Sequence, residues 1–123
     1  MATKPDSVIA PFTANGDLSA KQYYGVKLGS AEGDVDLAGD AEEAIGVLVG
    51  AGADNMPVSV AVGGGTKAIA SGAIAVDKKC NFDANGKLQE ASATEFYFCR
   101  TIEPAFADGD IVAIIIEKGF VPA

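Results

Sequence analysis

The sequence predicts a small, mainly β domain of short strands, either a β-barrel (or β-tulip-like barrel) or a sandwich, with an extended N-terminal arm. Short runs rich in β-branched residues recur at intervals of roughly 8 to 15 residues, as they do in such folds. Glycine is frequent, with 15 residues in a chain of 123. Valine alternates with smaller residues over positions 58–62, which is the period of a strand with one buried face.

Residues 1–20 are predicted to form the extended arm, and residues 21–123 a single β domain. Pro5 and Pro11 are expected to prevent regular strand pairing, because proline has no backbone N–H to donate. Val8, Ile9 and Phe12 give the same segment an apolar character. Such a terminus packs either on its own domain or on a partner, and the residues alone leave both alternatives open.

The rest of the chain is predicted to consist of short strands joined by turns. Residues 111–116 are apolar throughout, which predicts a strand that is covered on both faces. The glycine-rich segments 50–52 and 63–67 lack the spacing of nucleotide-binding loops and are predicted to be turns. The expected strands are residues 24–28, 44–49, 57–62, 67–70, 73–76, 87–90, 96–102 and 111–117.

An internal repeat supports this prediction. When the chain is shifted by 54 positions, residues 44–62 lie over residues 98–116, and the motif Ala-x-Ala-Asp at 51–54 falls on the same motif at 105–108. Each copy has the pattern strand, loop, strand. The repeat therefore predicts a pseudo-symmetric barrel that is built half by half.

The net charge of −8 arises from 9 basic and 17 acidic residues, and this balance argues against nucleic acid as a partner. The acidic charge is concentrated, since no Lys or Arg occurs between Leu28 and Thr66. Residues 30–43 are predicted to be a solvated loop. The carboxylates assigned to this loop are Asp34, Asp36, Asp40, Glu42 and Glu43.

The composition also limits the chemistry of the protein. The chain has no histidine, which excludes Ser-His-Asp, Cys-His and His-zinc sites within it. We therefore expect a protein that is not an enzyme and needs no cofactor. No membrane partner is expected either, because the longest aliphatic stretch, residues 111–116, is far shorter than the about 20 residues of a membrane-spanning helix.

Two segments partly match the calcium-binding loop pattern. Residues 34–39 and 81–86 supply some of the oxygen ligands, but their twelfth positions are Ile45 and Ser92 instead of glutamate. Asn85 and Gly86 are better explained as a hairpin turn of type I′, with a cation site as the alternative.

Cys80 and Cys99 lie 19 positions apart, which is not a metal-binding spacing. They are interpreted as buried free thiols in a reduced compartment. A bridge between neighbouring strands is the alternative, and the sequence leaves it open.

Taken together, several soft motifs resemble one family of proteins. They are AIGVL at 44–48, PVSVAV at 57–62, GAIA at 72–75, DANGK at 83–87 and DGDIV at 108–112. In this arrangement the chain resembles the small head decoration, or capsid cement, proteins of tailed bacteriophages.

The resemblance implies a structural virion protein, usually a homotrimer, made in the cytoplasm of the host bacterium. Such a protein binds the major capsid protein on the outer capsid surface and stabilises the head. The acidic loop at residues 30–43 would then lie on the face that points outward from the capsid. The N-terminal arm would then dock on the capsid, and deleting residues 1–12 would leave a folded protein that no longer binds. The docking residues implied are Pro5, Val8, Ile9, Pro11 and Phe12.

Two other functions remain as alternatives. One is a tail or baseplate subunit. The other is a soluble β-barrel that binds a sugar or another small ligand, which would need a pocket lined by aromatic side chains, although alternation predicts core packing for Phe96 and Phe98. The candidates for such a pocket are Tyr23, Tyr24, Phe96, Tyr97 and Phe98.

Overall fold

A computed structural model describes residues 7–41 and 43–122 of the chain. Every regular secondary-structure element in these residues is a β-strand, which confirms the prediction of a mainly β domain. None of the described residues forms a helix that could span a membrane. The nine strands are β1 Ser7–Ala14, β2 Gly25–Leu28, β3 Asp34–Leu37, β4 Gly46–Gly50, β5 Pro57–Ile69, β6 Lys79–Phe82, β7 Leu88–Glu90, β8 Phe96–Thr101 and β9 Ile111–Phe120.

The first five strands close into a small barrel, called here the first barrel. Their order is β1-β3-β2-β4-β5, and β1 also pairs with β5 to close the ring. β1 and β3 run parallel, whereas the other neighbours run antiparallel. The buried residues of its core, called the first core, are Ala14, Leu18, Val26, Val35, Leu48, Val58 and Val60.

The last part of β5 also belongs to a second sheet, which the remaining strands complete. Its order is β5-β9-β8-β6-β7, and a bridge between Ala70 and Leu88 brings its last strand back to the end of β5. The second core lies under this sheet, where the rings of Phe82 and Phe98 are 5.3 Å apart. Val47 belongs to this core although it lies on β4, so the first barrel and the second sheet pack directly on each other.

The long strand β5 corrects the prediction of a turn at residues 63–67 and a separate strand at 67–70. β5 is a single strand of 13 residues that runs through the three consecutive glycines. Its first part pairs with β1 and β4, and its last part pairs with β9. Gly64 has a φ of 72°, a value that glycine adopts without strain, and this lets the strand change direction between the two units.

The internal repeat extends further than the sequence alone indicated. A shift of 54 positions places β2 on β6 and the first residue of β5 on that of β9. Hydrogen bonds agree, since the Met56 N–H donates to the Ala53 carbonyl and the Asp110 N–H donates to the Ala107 carbonyl. Backbone conformations agree as well, because positive φ values recur at the same spacing. The recurring pairs are Tyr23 with Asp77 and Asn55 with Gly109.

Residues 7–14 of the N-terminal segment form the strand β1, so the expectation that Pro11 prevents regular pairing is wrong. β1 pairs with β5 from Ser7 to Thr13. The Thr13 N–H points away from β5, to the carbonyl of Gly33. Pro11 precedes Thr13 by two residues, so its nitrogen also faces away from β5, where no donor is needed. Residues 7–14 are therefore a barrel strand, while Pro5 lies outside the described residues.

The acidic segment 30–43 is not only a solvated loop, as the sequence suggested. Asp34–Leu37 forms β3, which lies between β1 and β2. Val35 is fully buried in the first core, whereas Asp34 and Asp36 on either side of it are partly exposed. The alternation of a strand hence turns the carboxylates outward and the valine inward.

The hairpin between β6 and β7 forms as predicted, with a different turn. The Gly86 N–H donates to the Asp83 carbonyl, and Gly86 has a φ of 79°, whereas Asn85 does not have a positive φ. This is a type I turn followed by a glycine, not a type I′ turn. The Asp83 carboxylate accepts the N–H groups of Asn85 and Lys87, at 2.9 and 3.0 Å, and so stabilises the turn itself.

Two further expectations need correction. Residues 73–76 do not form a strand and contribute one isolated bridge, between Ile74 and Ala105. β9 is not covered on both faces, because Val112 and Ile114 are buried whereas Ile111 and Ile115 are 45 and 44 % exposed.

Candidate functional site

The outer surface of β1 carries exposed apolar side chains. Val8 is 60 % exposed and Ile9 49 %, and Pro11 is exposed as well. The pairing register skips Val62 between Val8 and Ile9, so a bulge in β5 lies opposite these two exposed residues. Phe12 differs, since it packs against the first core. Four of the five residues predicted to dock thus lie on β1, and three of these four are exposed.

A second apolar surface lies on the outer face of the second sheet. Ile111 and Ile115 project from β9 on the side opposite the second core. Ile102 follows β8, and its N–H donates to the carbonyl of Ala113, which places Ile102 beside β9. Ile69 on β5 lies opposite Ile111 and is partly buried. These four isoleucines form what we call the isoleucine face.

Phe106 is the most exposed large apolar residue of the described chain, at 79 %. It lies in the loop before β9, on the second copy of the Ala-x-Ala-Asp motif. The Asp110 carboxylate accepts the N–H groups of Phe106 and Ala107, at 2.8 and 3.1 Å. The loop is thereby held in one conformation, and the phenyl ring is presented to solvent from an ordered backbone.

An aromatic cleft of about 310 Å³ lies between the ends of β8 and β9. The rings of Phe96 and Phe120 meet edge to face there, 5.2 Å apart. Phe96 is 47 % exposed, so its predicted core position is wrong, whereas Phe98 is buried as predicted. The other lining residues are Glu43, Ala44, Asn81, Tyr97, Phe98, Lys118 and Gly119.

Tyr23 and Tyr24, proposed for an aromatic pocket, do not line this cleft. Tyr23 packs against the second core, and Tyr24 lies under the Lys21 ammonium, 4.8 Å from the ring centre. The cleft therefore gathers only part of the aromatic set that a ligand-binding module was expected to use.

The acidic residues do not converge on one point. Asp36 accepts a hydrogen bond of 2.7 Å from the Asn15 amide, and Asp40 accepts one of 2.9 Å from the Gln89 amide. Glu43 lies at the aromatic cleft, and Glu42 is outside the described residues. No group of three or more potential metal ligands occurs in the part of the chain described by the structure. The outward orientation of this segment on a capsid stays a prediction.

Ion pairs involving the second half of the chain join surface residues. The Arg100 guanidinium contacts Asp77 and Glu117, each at 2.9 Å, and hydrogen bonds to both carboxylates raise the pKa of Arg100. Lys87 contacts Asp108 at 3.0 Å, and this hydrogen bond raises the pKa of Lys87. Pairs this exposed contribute little to stability.

Known proteins resemble this chain in sequence pattern and in fold. A family described as phage cement protein matches residues 3–116. The chain belongs to the phage cement protein family. The resemblance drawn from the motifs of the sequence is therefore confirmed, and with it the prediction of a structural protein of the phage head. No curated protein matches this cement protein.

A solved structure has the same fold as this cement protein. It is described as the head fiber gp8.5 N base of bacteriophage phi29. The similarity covers 96 % of the cement protein and 100 % of the other chain, with a TM-score of 0.75 and 15 % sequence identity. At this identity the likeness concerns the fold alone.

The exposed surfaces of the cement protein were only partly visible in its sequence. Ile111 and Ile115 were assigned to a covered strand, and Phe106 was not singled out. The repeat could have identified Phe106, because it falls on Gly52 in the first copy of the motif. A phenylalanine in a turn where the equivalent residue has no side chain is a signal for a surface contact.

Proposed function

We propose that this cement protein binds the outer surface of a phage capsid through the major capsid protein and stabilises the head. The observation that carries the proposal is the exposed apolar row Val8, Ile9 and Pro11 on a strand of a closed barrel. Burying one large apolar side chain contributes about 1.5–3 kcal/mol. Because the strand is already ordered, little conformational entropy is lost when it docks.

The proposal is tested by mixing purified capsids that lack the protein with Ile9→Ser. Serine removes the apolar side chain from an exposed position, so the fold should be retained while the affinity falls about tenfold or more. Cosedimentation of the protein with capsids over a concentration series measures the change. Leu28→Ser is the matched control, since Leu28 is 60 % exposed and lies on β2, away from the proposed contact. Equal affinity of Ile9→Ser and the unaltered protein would refute docking through β1.

We further propose that the protein is a homotrimer in the virion, with the isoleucine face as a contact between copies. Three isoleucines that are exposed on one sheet face form the kind of apolar patch that is typical of interfaces. Light scattering after size exclusion is then expected to give three times the chain mass of 12.4 kDa. Ile115→Lys should reduce this value to that of the single chain. A single-chain mass for the unaltered protein at tens of micromolar would contradict the proposal.

A further inference from the structure

The two cysteines lie directly opposite each other on neighbouring strands. Cys80 on β6 pairs with Cys99 on β8 in an antiparallel ladder. Both are free thiols, fully buried, and both belong to the second core. Opposed residues of antiparallel strands have Cα atoms about 4.5–5.5 Å apart, which is within the about 4.4–6.8 Å that a disulfide spans.

We propose that Cys80 and Cys99 form a cross-strand disulfide when the protein meets an oxidising medium. The bond would tie β6, and with it the β6–β7 hairpin, to the β8–β9 pair. The oxidant is a low-molecular-weight disulfide such as oxidised glutathione. One cysteine thiolate attacks it and releases one glutathione thiolate; the other cysteine thiolate then attacks the mixed disulfide and releases the second. Two protein thiols are oxidised, and one glutathione disulfide is reduced to two thiols.

The surroundings of the thiols determine how fast this exchange proceeds. Burial, with a smaller effect of the Glu90 carboxylate, raises the pKa of Cys80 to about 12. Burial also raises the pKa of Cys99 well above its usual value, and the proximity of Cys80 adds to it. Because the thiolate is the reacting form, both groups are protected while the core is closed. β7 is a short strand of three residues, so opening of the β6–β7 hairpin is the step that admits the oxidant.

The duplicated architecture supplies a matched variant. The position equivalent to Cys80 is Val26, 54 residues earlier, and Val26 is fully buried in the first core. Its partner across the ladder is Gly46. Valine is accommodated there opposite a glycine, whereas Cys80 lies opposite the small side chain of Cys99. Cys80→Val removes one thiol while keeping a small apolar side chain in the second core.

The experiment incubates the full chain with oxidised glutathione at about pH 8.5, a few degrees below its melting temperature, where the hairpin opens often. We expect the intact mass to fall by about two hydrogen atoms, with a peptide that links Cys80 to Cys99. The melting temperature should rise by roughly 5–10 °C, because the bond closes a loop of about 20 residues, and a phosphine reductant should reverse the rise. Cys80→Val should show neither change.

The result that would overturn the proposal is obtained by refolding the denatured chain in the same oxidant, so that access to the thiols is not limiting. Glutathione adducts on both cysteines, a covalent dimer, or two thiols that stay free after refolding would each show that the native ladder does not permit the bond. A linked peptide without any rise in melting temperature would also contradict the proposal, since the disulfide would then not restrain the hairpin.

Discussion

Removing residues 1–12 is expected to destabilise the protein severely, and not merely to abolish capsid binding. The deletion removes most of β1, which closes the first barrel by pairing with β5. It leaves an unpaired edge on β5 and takes away Phe12, which packs against the first core. A domain of this size has a total stability of about 5–15 kcal/mol, and loss of a closing strand consumes a large share of it.

Thermal unfolding followed by circular dichroism measures this effect. We expect the melting temperature of the variant that lacks residues 1–12 to fall by more than about 15 °C, or the cooperative transition to disappear. A variant that lacks only residues 1–6 keeps Ser7–Ala14 and should melt within a few degrees of the full chain. Unchanged melting after removal of residues 1–12 would show that β1 is a detachable arm, as the sequence first suggested.

Gly46→Ala is expected to lower the free energy of unfolding by about 2–4 kcal/mol. A methyl group at Gly46 would collide with the Ala61 carbonyl oxygen and would lie 2.5 Å from a methyl carbon of Val60. Both neighbours belong to β5, and both are fully buried, so neither can move away without disturbing the barrel. The collision involves backbone, which a side-chain rotation cannot relieve.

Gly72→Ala is the matched control for this substitution. Gly72 has no positive φ, and a methyl group there would meet no atom within 4 Å. Alanine should therefore be neutral or slightly stabilising at position 72, because it restricts the unfolded chain. Chemical denaturation of the two variants gives the comparison. Equal midpoints for Gly46→Ala and Gly72→Ala would mean that the β4–β5 pairing is looser than the distances indicate.

The strands with a regular apolar pattern could be predicted from the sequence. The alternation over 58–62 and the long apolar run at 111–116 correspond to β5 and β9, and the Ala-x-Ala-Asp motif revealed the duplication. These features depend on local pattern alone. β3 was not predicted because its one buried residue, Val35, lies between two carboxylates. That this segment is a strand depends on its pairing with β1 and β2.

Other features depend on which strands pair with each other and which faces they cover, and a local sequence pattern does not contain this information. Whether a proline blocks pairing depends on the side to which its nitrogen points, and for Pro11 this side faces away from β5. Three glycines usually mark a turn, but those of β5 lie where the strand passes from one sheet to the other. The surface positions of Ile111 and Phe96 likewise follow from what the sheets leave uncovered, which only the assembled fold determines.

The continuity of β5 has a mechanical consequence for a structural protein of the phage head. A flexible linker would let the barrel and the second sheet swing apart under tension, whereas here one strand is shared and Val47 on β4 is packed into the second core. A pull applied between the two units along β5 would load the hydrogen bonds to β1, β4 and β9 in shear, so that many must break at once. The molecule would then be stiff between the first barrel and the second sheet, and strain in the phage head would be transmitted through it without being absorbed.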